Sequence, residues 1–367
     1  MVSLTNAKDL TFSGSYDPSD VIFLLKPAKI AQTETEEKER LIQSGAKHYS
    51  EMLSAEKVPS KAYMDLYHDA LERNASIFRG DIQILAKAIA ARPETAHECT
   101  IVSLARAGTP IGVLLTRELR RMGVETAHYS ISIIRDRGID LEAMKTILDR
   151  HRPKTIVFVD GWTGKGAIKG ELERTLAASW LPVKPFLAVV ADPAGRADLA
   201  ATYEDYVIPS GLLNGIVSGL VSRTVLNEDY VGPGDYHACL FMEENAEHDI
   251  SRQFIETIEA TTPTERTAEL WNPYEARTSR NDCGRLIRDI CQDHGIDDIN
   301  RIKPGIAEAT RAVLRRVPDA VYVNDLEDPA VRHIIHLALE NAVPIHERDL
   351  GSYRALTIIK SVGGSQE

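Results

Sequence analysis

TIVFVDGWTGKGAIKG, residues Thr155 to Gly170, is the stretch on which the fold turns. An apolar run, Ile156 to Val159, ends at Asp160. The loop Gly161 to Gly166 follows, and a helical pattern starts at Ala167. This reads as buried strand, loop and helix. In an open α/β sheet, ligands sit beyond the carboxyl ends of the strands. The first amides of the helix then point into the loop, where the helix dipole favours an anion. Gly164 and Gly166 let the backbone approach a phosphate, and Thr163 and Lys165 add a hydroxyl and a cation. Asp160 suits sugar hydroxyls or a hydrated Mg²⁺. The loop matches neither GxxxxGK[ST] nor GxGxxG, so a plain strand-turn-helix connection explains it equally well when taken alone.

Neighbouring segments repeat the pattern. ECTIVSLARAG gives a strand, Cys99 to Leu104, and a loop, Ala105 to Gly108. Thr109-Pro110 then opens a helix, with threonine as N-cap and proline at N1. TAHYSISII is a strand to Ile134, followed by Arg135, Asp136 and Arg137 before Gly138, which suits a charged lid or a solvated turn. KPFLAVVADP predicts a strand ending at Asp192, and DYVIPSG a shorter one at Tyr206 to Pro209. Strands alternating with helices indicate a mainly parallel sheet. Upstream, Val21 to Leu25 reads as a short strand, and residues 35–95 carry helical spacing that ends at Arg92-Pro93.

Further on, GLLNGIVSGLVSRTVL reads as a covering segment, a base pocket or a buried helix. The polar, proline-containing stretch 261–279 reads as a linker. A helix, Arg280 to Asp293, precedes a small α/β unit over about 295–365. The predicted division is therefore 1–260, with a helical part at 35–95 and a core at 98–260, then the linker 261–279, then 280–367.

Composition narrows the function. The formal net charge of −11 argues against non-specific nucleic-acid binding over the whole surface. No apolar run is long enough to span a membrane, and the first residues lack a signal-peptide core, so a cytoplasmic protein is expected. The four cysteines form no CxxC pair, and Cys283, Cys291 and His294 do not make a zinc pattern. His237 and Cys239, two apart, share a face if extended, and a nucleophile pair there lacks an orienting third group.

The three loops together resemble the type I phosphoribosyltransferases. TIVFVDGWTGKGAI resembles the loop that holds the 5-phosphate of phosphoribosyl diphosphate, VSLARAG the diphosphate loop, and IIRDRGID the flexible catalytic loop. Where that family carries two adjacent acids, only Asp160 stands here. The whole chain, through GSYDPSDVIFLLKP, SGAKHYSEMLS and SLARAGTPIG, resembles a bacterial family found in stress and tellurite-resistance operons. Its members join a phosphoribosyltransferase-like domain to a C-terminal Pelota-type RNA-binding domain, and some carry a cysteine-protease label. The last unit resembles that superfamily at Gly305 to Arg311, with Ala307 and Arg311 where relatives have asparagine and lysine.

The resemblance implies an α/β fold of the phosphoribosyltransferase type I kind plus a Pelota-like unit. It implies a Mg²⁺-dependent transfer from phosphoribosyl diphosphate to a base-like acceptor. Asp160, Arg135 and Arg137 would be catalytic, with Asp160 meeting the metal through water or substrate. Arg106, Ala107 and Gly108 would hold diphosphate, and Thr163, Gly164, Lys165, Gly166 and Ala167 the 5-phosphate. Lys303, Gly305, Glu308, Arg311 and Arg315, with Arg316 beside them, would meet structured RNA. A homodimer is compatible with this reading. A non-catalytic regulator that binds nucleotide or RNA, and a cysteine hydrolase using Cys239, are the alternatives.

Overall fold

The computed structural model describes residues 12–265 and 272–361. Six strands form one sheet: β1 (Ile22–Leu24), β2 (Glu98–Leu104), β3 (Glu125–Ile131), β4 (Ile156–Trp162), β5 (Leu187–Ala191) and β6 (Leu199–Thr202). Their order is β1-β3-β2-β4-β5-β6 and every pairing is parallel. Nine helices are described: α1 (Thr35–Gln43), α2 (Lys61–Ala90), α3 (Thr109–Arg121), α4 (Leu141–Leu148), α5 (Ala167–Ser179), α6 (Ser251–Ala260), α7 (Pro273–His294), α8 (Ile306–Arg315) and α9 (Arg332–Glu340).

Both faces of the sheet are covered, which is why its strands read as unbroken apolar runs. Side chains alternate between two cores. Ile101, Val157 and Val159 join Phe78, Ile82 and Leu115 of α2 and α3. Val102, Phe158 and Val189 join Met144, Ile147 and Leu172 of α4 and α5. β4 runs to Trp162, past the end of its apolar run, and carries Asp160 on its last turn of pleat.

Four further strands form a second sheet in the order β7-β10-β8-β9: β7 (Ile302–Pro304), β8 (Pro318–Val323), β9 (Ile345–Glu347) and β10 (Ala355–Ile359). One face closes a core largely of its own with α7, through Leu286, Ile290, Ile302, Leu356 and Ile358, whereas α8 and α9 on the other face join the core of the sheet domain. Ile306, Val313 and Ile334 belong to the same apolar cluster as Tyr63, Tyr67 and Leu212.

Several expectations are corrected. Tyr206 to Pro209 is not a strand; β6 takes the sheet edge beside β5, while Val207 and Ile208 pack their side chains inward ahead of a tight turn, Pro209–Leu212. Pro209 has no N–H to give a ladder. Thr109 does not cap α3; Gly108 holds that position, and the Thr109 hydroxyl lies 2.8 Å from Ser130 Oγ. α7 begins at Pro273, inside the stretch read as linker, because Asn272 caps it by accepting the Tyr274 N–H at 3.0 Å. Residues 266–271 of that stretch lie outside the described residues. The segment after Ser210 is buried as short turns rather than a helix. Among the described residues no helix is long and apolar enough to cross a membrane.

Candidate functional site

A cavity of about 300 Å³ opens at the carboxyl ends of β2 and β4. One wall is the sheet domain, through Ala105 to Ala107, Arg135, Asp160 and Trp162 to Lys169. The other is the C-terminal unit, through Lys303, Glu308, Arg311, Arg315 and Arg316. Its lining holds ten lysines and arginines against two carboxylates, Asp160 and Glu308, in a chain whose net charge is −11. Such a wall focuses the field on whatever enters.

The chain itself pairs three of these cations, Arg106 with Glu56, Lys169 with Asp198 and Arg316 with Glu39. Burial pushes Lys38 and Lys303 down to about 7 and Lys165 to about 8, and a second contribution to each comes from neighbouring arginines. Burial likewise lowers Arg223 to about 10 and holds Arg315 well below the ordinary range. Burial lifts Asp160 to about 7, against the Gly161 N–H that it accepts at 2.8 Å. Burial also works to raise Glu308, but Lys303 and Arg311 hold it below the usual carboxylate range. The Nε atoms of Arg106, Arg311 and Arg315 are buried without a hydrogen-bond partner. A buried donor left unmade costs roughly 1–3 kcal/mol, so these groups are arranged for an acceptor that the chain does not supply. Arg311 lies over the Trp162 ring, 4.5 Å from its centroid.

The central loop is only partly as expected. Gly166, at φ 86°, starts α5, which has no side-chain cap, and Ala167 is its first residue. Thr163, however, donates its hydroxyl to Asp192 Oδ1 rather than into the cavity. Lys165 donates to the carbonyls of Ile302, at 2.9 Å, and Ile299, so it ties the loop to the C-terminal unit. The Gly164 carbonyl accepts the Tyr353 hydroxyl at 2.7 Å.

Arg106 reaches the cavity but is paired with Glu56 and donates to the Val221 carbonyl at 2.8 Å. Ala107 lines the cavity. Gly108 does not; it sits where an added Cβ would lie 2.3 Å from the Val159 carbonyl, so it serves helix-strand packing. Arg135 lines the cavity and donates to Asn300 Oδ1 at 2.7 Å. Arg137 faces an outer groove and is paired with Glu51. The two arginines are therefore held, not free as a lid would need.

The residues expected to meet RNA are turned the other way. Lys303, Glu308, Arg311, Arg315 and Arg316 point into the cavity, and Gly305 is buried. An exposed basic face on α8 is thus corrected to an interior wall. Sequence reading missed Lys38 and Arg223, which arrive from remote segments that carry no phosphate motif, and gave no role to Trp162, which stands inside the central loop itself. A Mg²⁺ held by side chains alone does not fit ten cations and two separated carboxylates; a divalent ion suits this lining only as the companion of a bound anion. Among the described residues no cluster of three metal-ligating side chains occurs.

No cysteine lines the cavity. Cys239 is fully buried and burial pushes its thiol far up. His237 turns its Nδ1 to Ser132 Oγ, 2.8 Å away, and its backbone N–H donates to Asp140 Oδ2 at 2.6 Å.

Residues 14–259 match the family described as tellurite-like stress resistance cysteine protease StiP, and residues 282–361 match the PELOTA RNA binding domain. A protein of Acinetobacter baylyi named cysteine protease StiP is 40% identical over 366 residues, 96% of this chain and 95% of its own. Among solved structures, a hypoxanthine phosphoribosyltransferase of Trypanosoma cruzi aligns at 17% identity over 35% of this chain and 80% of its own, with a TM-score of 0.27. The same enzyme in complex with the product IMP covers 48% and 92%, with a TM-score of 0.28. Likeness this loose bears on neither activity nor substrate.

These findings correct the functional expectation. The matched family and the relative from Acinetobacter baylyi are both named for a cysteine protease, which overturns transfer from phosphoribosyl diphosphate to a base-like acceptor.

Proposed function

The chain belongs to the family described as tellurite-like stress resistance cysteine protease StiP, and from that premise we propose an enzyme whose substrate is held by its anionic groups in the cationic cavity. One observation carries this: ten basic residues line it beside two carboxylates, only Arg106, Lys169 and Arg316 of them are paired with carboxylates from outside the lining, and three buried guanidinium nitrogens lack an acceptor. A carboxylate or phosphate supplies that acceptor, with charge-assisted hydrogen bonds to Arg311 and Arg315. Asp160, lifted to about 7, is the group able to exchange a proton with bound substrate near neutrality.

Given the family's description, the substrate class is an acidic peptide. Thiol chemistry then falls to Cys239, since Cys99, the other cysteine of the matched span, stands at the opposite, amino end of its strand from the cavity. A buried, protonated thiol is a poor nucleophile, so Cys239 must be uncovered on substrate binding. The test is a panel of fluorogenic peptides of acidic, neutral and basic sequence, run beside calorimetric titration with sulfate. Acidic peptides are cleaved in preference, sulfate binds and competes, and Cys239→Ala loses cleavage while keeping sulfate binding. Absence of sulfate binding removes the cavity from the site; full cleavage by Cys239→Ala removes the thiol from the reaction.

A further inference from the structure

The C-terminal unit matches an RNA-binding domain, yet its basic residues are enclosed. Affinity for a polynucleotide comes mainly from cations that reach phosphates. Here Lys303 is 8% exposed, and Arg311, Arg315 and Arg316 face a cavity of about 300 Å³, too small for an RNA strand with its neighbouring groups.

The sheet domain sets acceptors against the start of α8 and against two of these side chains. Asp205 of the sheet domain accepts the Ile306 N–H at 3.0 Å and the Arg354 N–H at 2.9 Å, which fills the N-terminus of α8 with a carboxylate. Glu39 takes both ends of the Arg316 guanidinium, one at 2.9 Å. Asn214 Oδ1 accepts from Arg315. Each of these oxygens occupies a donor that could otherwise serve a phosphate oxygen.

We propose that docking of the C-terminal unit onto the sheet domain and binding of RNA through its β7–α8 face are mutually exclusive, with Asp205 and Glu39 standing in for RNA phosphates. An anion in the cavity touches both walls and so favours the docked state; this clause rests on the function proposed above. By linkage, whatever the anion takes from RNA affinity, RNA takes equally from anion affinity.

A disulfide lock tests this on the full chain. A Cβ added at Gly211 would lie 3.5 Å from the Ala307 Cβ, within the disulfide range of about 3.5–4.5 Å. Binding of a fluorescein-labelled RNA stem-loop is followed by anisotropy at ionic strength fixed with chloride. Oxidised Gly211→Cys/Ala307→Cys binds RNA at least about tenfold more weakly than its reduced form, and reductant restores binding. Asp205→Asn, which empties the α8 terminus of charge, binds RNA more tightly than the native chain. Replacing chloride by sulfate at equal ionic strength weakens RNA binding by the native chain. Equal binding by locked and reduced protein overturns the exclusion, and so does absence of RNA binding in every form, Asp205→Asn included. Sulfate calorimetry on the locked protein separates the two ideas. If sulfate binds there while RNA binding is unaffected by the lock, the cavity reading stands and the exclusion fails. If the lock excludes RNA while no form binds sulfate, the exclusion stands and the cavity reading fails.

Discussion

Two helices, α5 and α8, begin at a glycine of positive φ, Gly166 at 86° and Gly305 at 89°, and both face the same cavity. In sequence they look alike as anion sites. They differ in what the chain itself places at the helix start. α5 has no side-chain cap, so its first amides look toward the cavity. α8 has its first N–H taken by Asp205, a carboxylate that burial lifts to about 6. A helix terminus can bind an external anion only where the protein has not already installed one of its own.

Emptying the filled terminus gives the largest expected effect. Asp205→Ala leaves the Ile306 and Arg354 amides buried without their acceptor. It is expected to cost about 3 kcal/mol of stability, measured by urea denaturation. A loss no larger than that of an exposed surface substitution would mean that α8 does not depend on its installed carboxylate.

Next comes the open side. Arg311→Ala removes the guanidinium that lies over Trp162 and should weaken sulfate binding about tenfold, about 1.4 kcal/mol. Calorimetry reads this directly, and an unchanged affinity would separate Arg311 from the anion.

The pH dependence sharpens the contrast further. Asp160 and Asp205 titrate in the folded chain near 7 and 6, above their unfolded values. Their contribution is present at low pH and is lost as pH rises through those values. Lys38 and Lys303 titrate near 7 when folded and near 10.5 when unfolded, so the unfolded chain binds more protons between the two. Stability therefore rises with pH across that window. Without an anion, these four groups give a stability minimum near pH 7. Sulfate holds the lysines charged and flattens the alkaline rise, while its own affinity falls from pH 6 to pH 9. Thermal melts over that range, with and without sulfate, check the sign; an alkaline rise unchanged by sulfate would place the anion away from Lys38 and Lys303.

The smallest effect is expected at Arg137, which is paired with Glu51 in the outer groove. Arg137→Ala should change sulfate affinity by less than about threefold, in keeping with the modest worth of exposed pairs. A larger loss would restore Arg137 to the site.

The parallel sheet was readable because apolar runs alternate with helical spacing, and Asp160, Lys165 and Gly166 sit on the loop where strand-end chemistry is expected. Arg106 and Arg135 were found in the same way. Lys38 and Arg223 were not legible as partners, since each is an ordinary basic residue until the fold brings α1 and the 221–225 segment to α8. The direction of α8 was misread for a related reason. Helical spacing tells which residues share a face, and says nothing of whether water or another element lies against it. Asp205 carried no capping signal, because the helix it serves begins about a hundred residues later.

The cavity's two walls also have different birthdays. Residues 104–169 leave the ribosome well before Lys303 to Arg316, and β7 finds its partner only when Ala355 to Ile359 emerges. At a synthesis rate of roughly 5–20 residues per second, the second wall follows the first by on the order of ten seconds. A chain whose translation stalls or is cut short in that interval carries the first wall alone. The site therefore comes into being only once Ala355 to Ile359 has been made, and fragments that stop before it are born without the second wall.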